Sequence, residues 1–271
     1  MPTGRAQLAA GVINGIVYAI GGFNGGALNT LEAYNPSTDT WTTKAPMPTA
    51  RYSLAAGVIN GILYAVGGGG GGGLLNELEA YDPTTNSWST RASMPTARIQ
   101  LAAGVVDGKL YAIGGRVTSA GCFNTVEAYD PVSDSWTTKA HMAIKRCNLS
   151  VGVIDGKLYA IGGFNAEHWV EAYDPATNTW TTKSRMPTGR QGLAVGVVGG
   201  RLYAIDGYNT GLSKTNEAYN PATDNWSEKT NAPMKRDLLS AVAVDNVIYT
   251  IGGSNHGIGP TLNTVEAYNP P

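Results

Sequence analysis

The chain is short of the residues that most chemistry and many partners require. Charge is scarce: 14% of 271 residues are Asp, Glu, Lys or Arg, and 19 basic against 20 acidic side chains leave a net −1. A nucleic-acid surface needs a basic patch to displace phosphate counterions, and no basic run or cluster exists here. Two cysteines cannot form a four-thiolate zinc site or a disulfide framework, so the redox compartment stays open. No apolar run approaches the roughly 20 residues of a membrane helix. The start, MPTGRAQLAAG, has no basic segment followed by an apolar one, so no signal peptide is expected. No G-x-S-x-G nucleophile elbow occurs. Glycine is what abounds, at 36 residues, including seven in a row at Gly67 to Gly73. The 42% hydrophobic content argues against a disordered glycine-rich chain.

The glycines belong to a repeat. The segment Glu-Ala-Tyr-(Asp/Asn)-Pro occurs six times, with tyrosines at Tyr34, Tyr81, Tyr129, Tyr173, Tyr219 and Tyr268, spaced 47, 48, 44, 46 and 49 residues apart. A Trp follows seven residues after each of the first five: Trp41, Trp88, Trp136, Trp180 and Trp226. Each unit opens on an Arg (Arg5, Arg51, Arg98, Arg146, Arg190, Arg236). Between them lie an LAAGV-like strand, a two-residue hairpin signal such as Asn14-Gly15, and a YAIGG-like strand. The Glu-Ala-Tyr strand ends on Pro, which cannot continue a ladder, and a turn leads to the Trp strand. Only Asp245-Asn246 departs from the X-Gly hairpin form. Nothing in the unit has helical period. Four-strand repeats near 45 residues indicate propeller blades.

The double Gly, the Tyr and the Trp seven residues beyond it resemble the kelch repeat, over essentially the whole chain. The resemblance implies an all-β, six-bladed β-propeller with the Ala-Gly strands innermost. Small residues there (Ala9-Ala10-Gly11, Ala55-Ala56-Gly57, Ala102-Ala103-Gly104) suit the narrow end of a wedge, and Tyr and Trp fill the wide end. We expect a single domain over 1–271, with blades at 1–46, 47–93, 94–141, 142–185, 186–233 and 234–271. The sixth Trp strand is absent at both ends, so the sixth blade is expected to have three strands and the ring to close by blade packing alone. The six Arg and six Glu invite a catalytic reading. A ring of identical groups is instead a scaffold feature, so ion-pair or backbone partners are expected.

Function is sought where the repeats differ. From the residue after the double Gly to the one before the Glu, the loops run 9, 10, 11, 7, 9 and 12 residues. The resemblance implies that these loops and the entries to the inner strands share one face, which in kelch proteins commonly binds peptides. Candidate binding residues on it are Phe23, Tyr52, Arg116, Cys147, Phe164, Trp169, Gln191, Tyr208 and Asp237. Aromatics and Arg most often dominate binding energy. Cys122, Cys147 and His168 form a weak metal set without tight spacing, so no metal or other cofactor is expected. Two separate thiols are the default, a Cys122–Cys147 disulfide the alternative. Asp206, which replaces the first Gly of its pair, is expected to bond nearby backbone N–H groups.

The expected function is therefore a non-enzymatic, monomeric binding scaffold for a peptide or protein, without nucleic-acid or membrane partners. Some kelch-type propellers are copper radical oxidases, for which this chain lacks a ligand cluster. Others are sugar epimerases or mutarotases, which need only a few polar groups in a funnel. A sugar-processing role, or an engineered scaffold without a native ligand, stands as the alternative.

Overall fold

A computed structural model describes residues 1–117, 121–255 and 260–271. Its main sheets form a six-bladed all-β propeller: five antiparallel sheets of four strands and a sixth of three. Blade one shows the unit, with strands Ala9–Ile13, Ile16–Ile20, Leu31–Asn35 and Thr40–Thr43 pairing in that order. The six first strands surround the axis, each against its two neighbours, and the first strand of blade six touches that of blade one. No helix among the described residues is long and apolar enough to cross a membrane.

Local chemistry explains each turn. Asn14 and Gly15 lie at φ 50° and 75°, the left-handed pair that a two-residue hairpin needs. Asp245 and Asn246 hold the same geometry at φ 49° and 64°, so this departure from X-Gly leaves the turn intact. The double Gly has a second requirement besides φ: a Cβ on Gly67 would lie 2.9 Å from the Arg98 carbonyl oxygen, and one on Gly68 would lie 2.8 Å from that of Tyr52. Glycine on the inner strands answers to packing. A Cβ on Gly104 would sit 2.3 Å from a methyl of Leu158 in the next blade.

Blades are joined at two radii. At the rim, the Trp of one blade donates its indole N–H to a carbonyl leaving the previous blade's fourth strand: Trp88 to Ala45 (2.9 Å), Trp136 to Ala92 (2.7 Å), Trp180 to Ala140 (2.8 Å) and Trp226 to Ser184 (3.0 Å). The Asx two residues before each Trp accepts the N–H of that same residue, as in Ala45 to Asn86 Oδ1 at 3.0 Å. At the axis, six backbone bonds form a closed cycle. The N–H of Ser53, Gln100, Asn148, Gly192 and Leu238 each donates to the equivalent carbonyl one blade back, and Gln7 N–H closes the cycle on Leu238 at 2.8 Å. All six residues are left-handed, with φ between 51° and 59°. Blade six thus receives no fourth strand from residues 1–4, as expected, yet more than packing closes the ring. Arg5 N–H also donates to Leu262, and Gly253 N–H to Arg5.

The repeated charges are structural. Every unit Arg is fully buried and pairs with the Glu of its own blade. Arg146 shows the full set: Nη2 to Glu171 at 2.5 Å, Nη1 to the Trp169 carbonyl at 3.0 Å, and Nε to Met142 Sδ at 3.3 Å. Burial pulls the Arg146 guanidinium down to about 10, against the Glu171 charge, so it stays protonated at neutral pH.

Candidate functional site

The second and third strands of each blade are joined on the same face as the entry to the first strand. Reciprocal backbone bridges draw together the residue after the Arg and the residue after the double Gly: Ala6 with Phe23, Tyr52 with Gly69, Ile99 with Arg116, Cys147 with Phe164, Gln191 with Tyr208, and Asp237 with Ser254. These two repeat positions therefore form six bridged pairs encircling the mouth of the axis. Parts of the blade three and blade six loops lie outside the described residues.

The side chains differ around this circle. Phe164, Tyr208 and Phe23 are the most exposed aromatics, at 47%, 38% and 37%. Phe23 meets Tyr52 of the next blade edge-on, with ring centroids 5.6 Å apart. The Tyr52 ring lies over Gly69, where a Cβ would come within 2.9 Å of it. Within the glycine run, Gly69–Gly70 and Gly73–Leu74 pair as a small hairpin. Gln191 is half-buried and its Oε1 accepts from Asn148 Nδ2 at 3.4 Å. Asp237 is 7% exposed, and burial pushes its carboxyl up to about 6. Its Oδ1 and the Nε of Arg116 are buried without a hydrogen-bond partner among the described residues.

Two sequence expectations need correction, the free thiols and the backbone bonding of Asp206. Cys147 is not a free thiol: it is bonded to Cys122, with Cα atoms 5.3 Å apart, and is 1% exposed, so it cannot contact a ligand directly. The Arg116↔Cys122 pairing places Cys122 in a short blade three hairpin, and the carbonyl of the next residue, Phe123, accepts the Arg146 N–H at 2.9 Å, which brings Cys122 to the blade four entry, a juxtaposition no spacing rule shows. Trp169 stands outside the six bridged pairs. It precedes the third strand of blade four and stacks under Arg185, whose guanidinium carbon is 4.4 Å from its ring centroid. Asp206 bonds no local N–H group through its side chain. Its Oδ2 accepts from Arg236 Nε of the next blade at 3.0 Å. Burial pushes this carboxyl up to about 7, against the pull of Arg236, which it shares with Glu266. His168 is bonded to the Met186 carbonyl at 2.8 Å.

The axial mouth was missed in the sequence. Gln7, Ser53, Gln100, Asn148, Gly192 and Leu238, each two residues after the Arg, surround a cavity of about 90 Å³ there. Ser53 Oγ donates to Gln7 Oε1 at 2.7 Å. Their only signal is a recurrent polar or glycine residue at one repeat position, which Leu238 breaks.

A family model described as the KLHDC2/KLHL20/DRC7 kelch-repeats domain matches the chain twice, over residues 1–163 and 90–253. A solved structure, that of YjhT, superposes with a TM-score of 0.86 over 99% of each chain at 18% identity. At that identity the likeness shows the fold alone. A comparison with curated proteins gives no match.

Proposed function

Since the chain belongs to the kelch-repeat family, whose propeller fold suits a protein-binding scaffold, we propose that it binds an extended peptide or a protein loop on the circle of bridged pairs. One observation carries this reading: exposed Phe23, Phe164 and Tyr208 ring a mouth where Asp237 Oδ1 and Arg116 Nε are buried without partners among the described residues. Apolar anchors beside unsatisfied polar groups suit a partner bringing both apolar side chains and hydrogen-bonding groups. A buried unpaired polar atom costs about 1–3 kcal/mol, which a partner could recover. At the mouth the axial cavity measures about 90 Å³, and one of about 160 Å³ continues it between the inner strands, lined mainly by Leu, Ala and Val; each is below the several hundred Å³ of ordinary small-molecule pockets, and the deeper one offers few polar side chains. That favours engagement across the face over enclosure of a sugar.

Selection from a random peptide library, followed by calorimetry, tests the proposal. A selected binder is expected to lose about tenfold or more in affinity on Tyr208→Ala or Arg116→Ala. Binders indifferent to both changes, or stabilisation by sugars alone in a thermal-shift screen, would refute it.

A further inference from the structure

Three side chains at the junction of blades four and five depart from the repeat in one place. His168 stands where blades two and three have Asn76 and Asn124, Trp169 where four other blades have Thr, and Arg185 where blades two and three have Ser93 and His141. The backbone fixes these equivalences. The N–H groups of Met94, Met142 and Met186 donate to the carbonyls of Asn76, Asn124 and His168, at 2.8, 3.0 and 2.9 Å.

His168 keeps the structural duty of the asparagine. Asn76 and Asn124 donate through Nδ2 to the carbonyls of Met94 and Met142 at 2.9 Å, and His168 Nδ1 meets that of Met186 at 2.8 Å. A carbonyl only accepts, so Nδ1 carries the hydrogen, and Nε2 is the nitrogen left open. The exposed imidazole lies over Gly189, where a Cβ would come within 2.5 Å of it. The residue at that position is Ala50 or Ala97 at junctions that use the smaller asparagine. Arg185 is exposed too, and its guanidinium carbon stands 4.4 Å from the Trp169 ring centroid. Unlike the unit arginines, it pairs with no carboxylate among the described residues, and Glu167, next to His168 in the chain, pairs with neither side chain. Stacking occupies the face of a guanidinium and leaves its N–H edges available. An oriented imidazole and a preplaced guanidinium thus sit side by side with nothing bound to their free edges.

We propose that Arg185 and His168 form a binding site for a phosphoryl group. Arg185 supplies a fork of N–H donors that matches two phosphoryl oxygens, and Trp169 holds it in place beforehand. His168 selects phosphate over carboxylate. A phosphate monoester holds its second proton with a pKa of about 6, so near neutrality one proton lies between Nε2 and a phosphoryl oxygen, whichever group carries it. A carboxylate, ionised near neutrality, brings no proton to the Nε2 lone pair. The site stands outside the six bridged pairs, so it does not depend on the peptide reading of the mouth.

The test titrates inorganic phosphate, and separately the peptide acetyl-Gly-phosphoserine-Gly-amide, into the 271-residue chain at constant ionic strength, and follows the Trp169 indole N–H by NMR. Saturable shifts are expected with both probes, and none with the unphosphorylated peptide. Acetate should bind about tenfold or more weakly than phosphate. Arg185→Ser and His168→Asn bring in residues that the fold already uses at these positions, as Ser93 and Asn124, so both variants should keep the melting temperature. Arg185→Ser should weaken phosphate binding about tenfold or more, and His168→Asn about three- to tenfold. Equal affinity for the two probes marks a small phosphate as the ligand, and tighter binding of the phosphopeptide marks a phosphorylated polypeptide; both uphold the site. No saturable shift, equal binding of acetate, or indifference to either variant would overturn the proposal. Tyr208→Ala, on the bridged circle, should change nothing. A loss of phosphate binding there would place the phosphoryl group at the mouth and overturn this site while leaving the peptide reading intact.

Discussion

The junctions between blades three and four and between blades five and six are made from the same repeat but hold their arginines differently. At the former, Arg146 Nε meets Met142 Sδ, four residues before it, and a Cβ on Gly114 would lie 3.2 Å from that methionine's methyl group. At the latter, Ala232 stands four residues before Arg236, and Asp206 occupies the Gly114 position. The Asp206 carboxylate reaches the Nε that lacks a sulfur. Thr250, where the other blades have Ala, takes a further N–H from Arg236, and Asn216 stands where they have Leu or Val. A glycine–methionine pair has been exchanged for an aspartate–alanine pair. The cost is a second carboxylate on one guanidinium. The comparison teaches that a repeat specifies its interface as a set of groups, and that losing one side chain is met by a change about 30 residues away.

The largest expected effect breaks the regular junction. Arg146→Met leaves Glu171 buried without its cation, and should lower unfolding free energy in denaturant titration by about 3–5 kcal/mol. Glu266→Gln at the other junction should cost less than half of that, because Glu266 is partly exposed and Asp206 still pairs with Arg236. Equal losses would erase the distinction between the junctions.

A pH series sharpens it. The Asp206 carboxyl is raised from 3.8 to about 7 by burial, so the native state holds a proton that the unfolded chain releases. Its stabilising contribution is full below about pH 4 and is lost as pH rises to about 7. Relative to Asp206→Asn, which tolerates the same left-handed φ, the unaltered chain should therefore lose stability across that window. A flat difference would mean that Arg236 holds the carboxylate ionised throughout.

The smallest effect concerns the rim. Trp136→Phe removes the bond to the Ala92 carbonyl and should cost about 1 kcal/mol more than Trp41→Phe, whose indole has no such carbonyl among the described residues. Equal costs would assign both tryptophans to packing alone.

The blade unit was legible because each strand has its own local signal: Asn-Gly turns, double glycines and the Tyr–Trp spacing recur in register. The bridged pairs followed from that register. What was not legible depends on which blades become neighbours. Asp206 reads locally as a turn residue, and only the ring places Arg236 beside it. Cys122 and Cys147 meet because a hairpin in blade three reaches the blade four entry. The axial hydrogen-bond cycle involves backbone alone, so Gln7, Ser53 and Leu238 leave no common side-chain mark.

Among the described residues the ring is closed at its axis by a continuous cycle of six backbone hydrogen bonds. Amide hydrogen exchange tests it most directly. Gln7 and Leu238, on either side of the blade six–one junction, are expected to exchange as slowly as Ser53, Gln100 and Asn148. Exchange at Gln7 and Leu238 orders of magnitude faster than at Gln100 would contradict it, showing a ring that opens at the blade six–one junction.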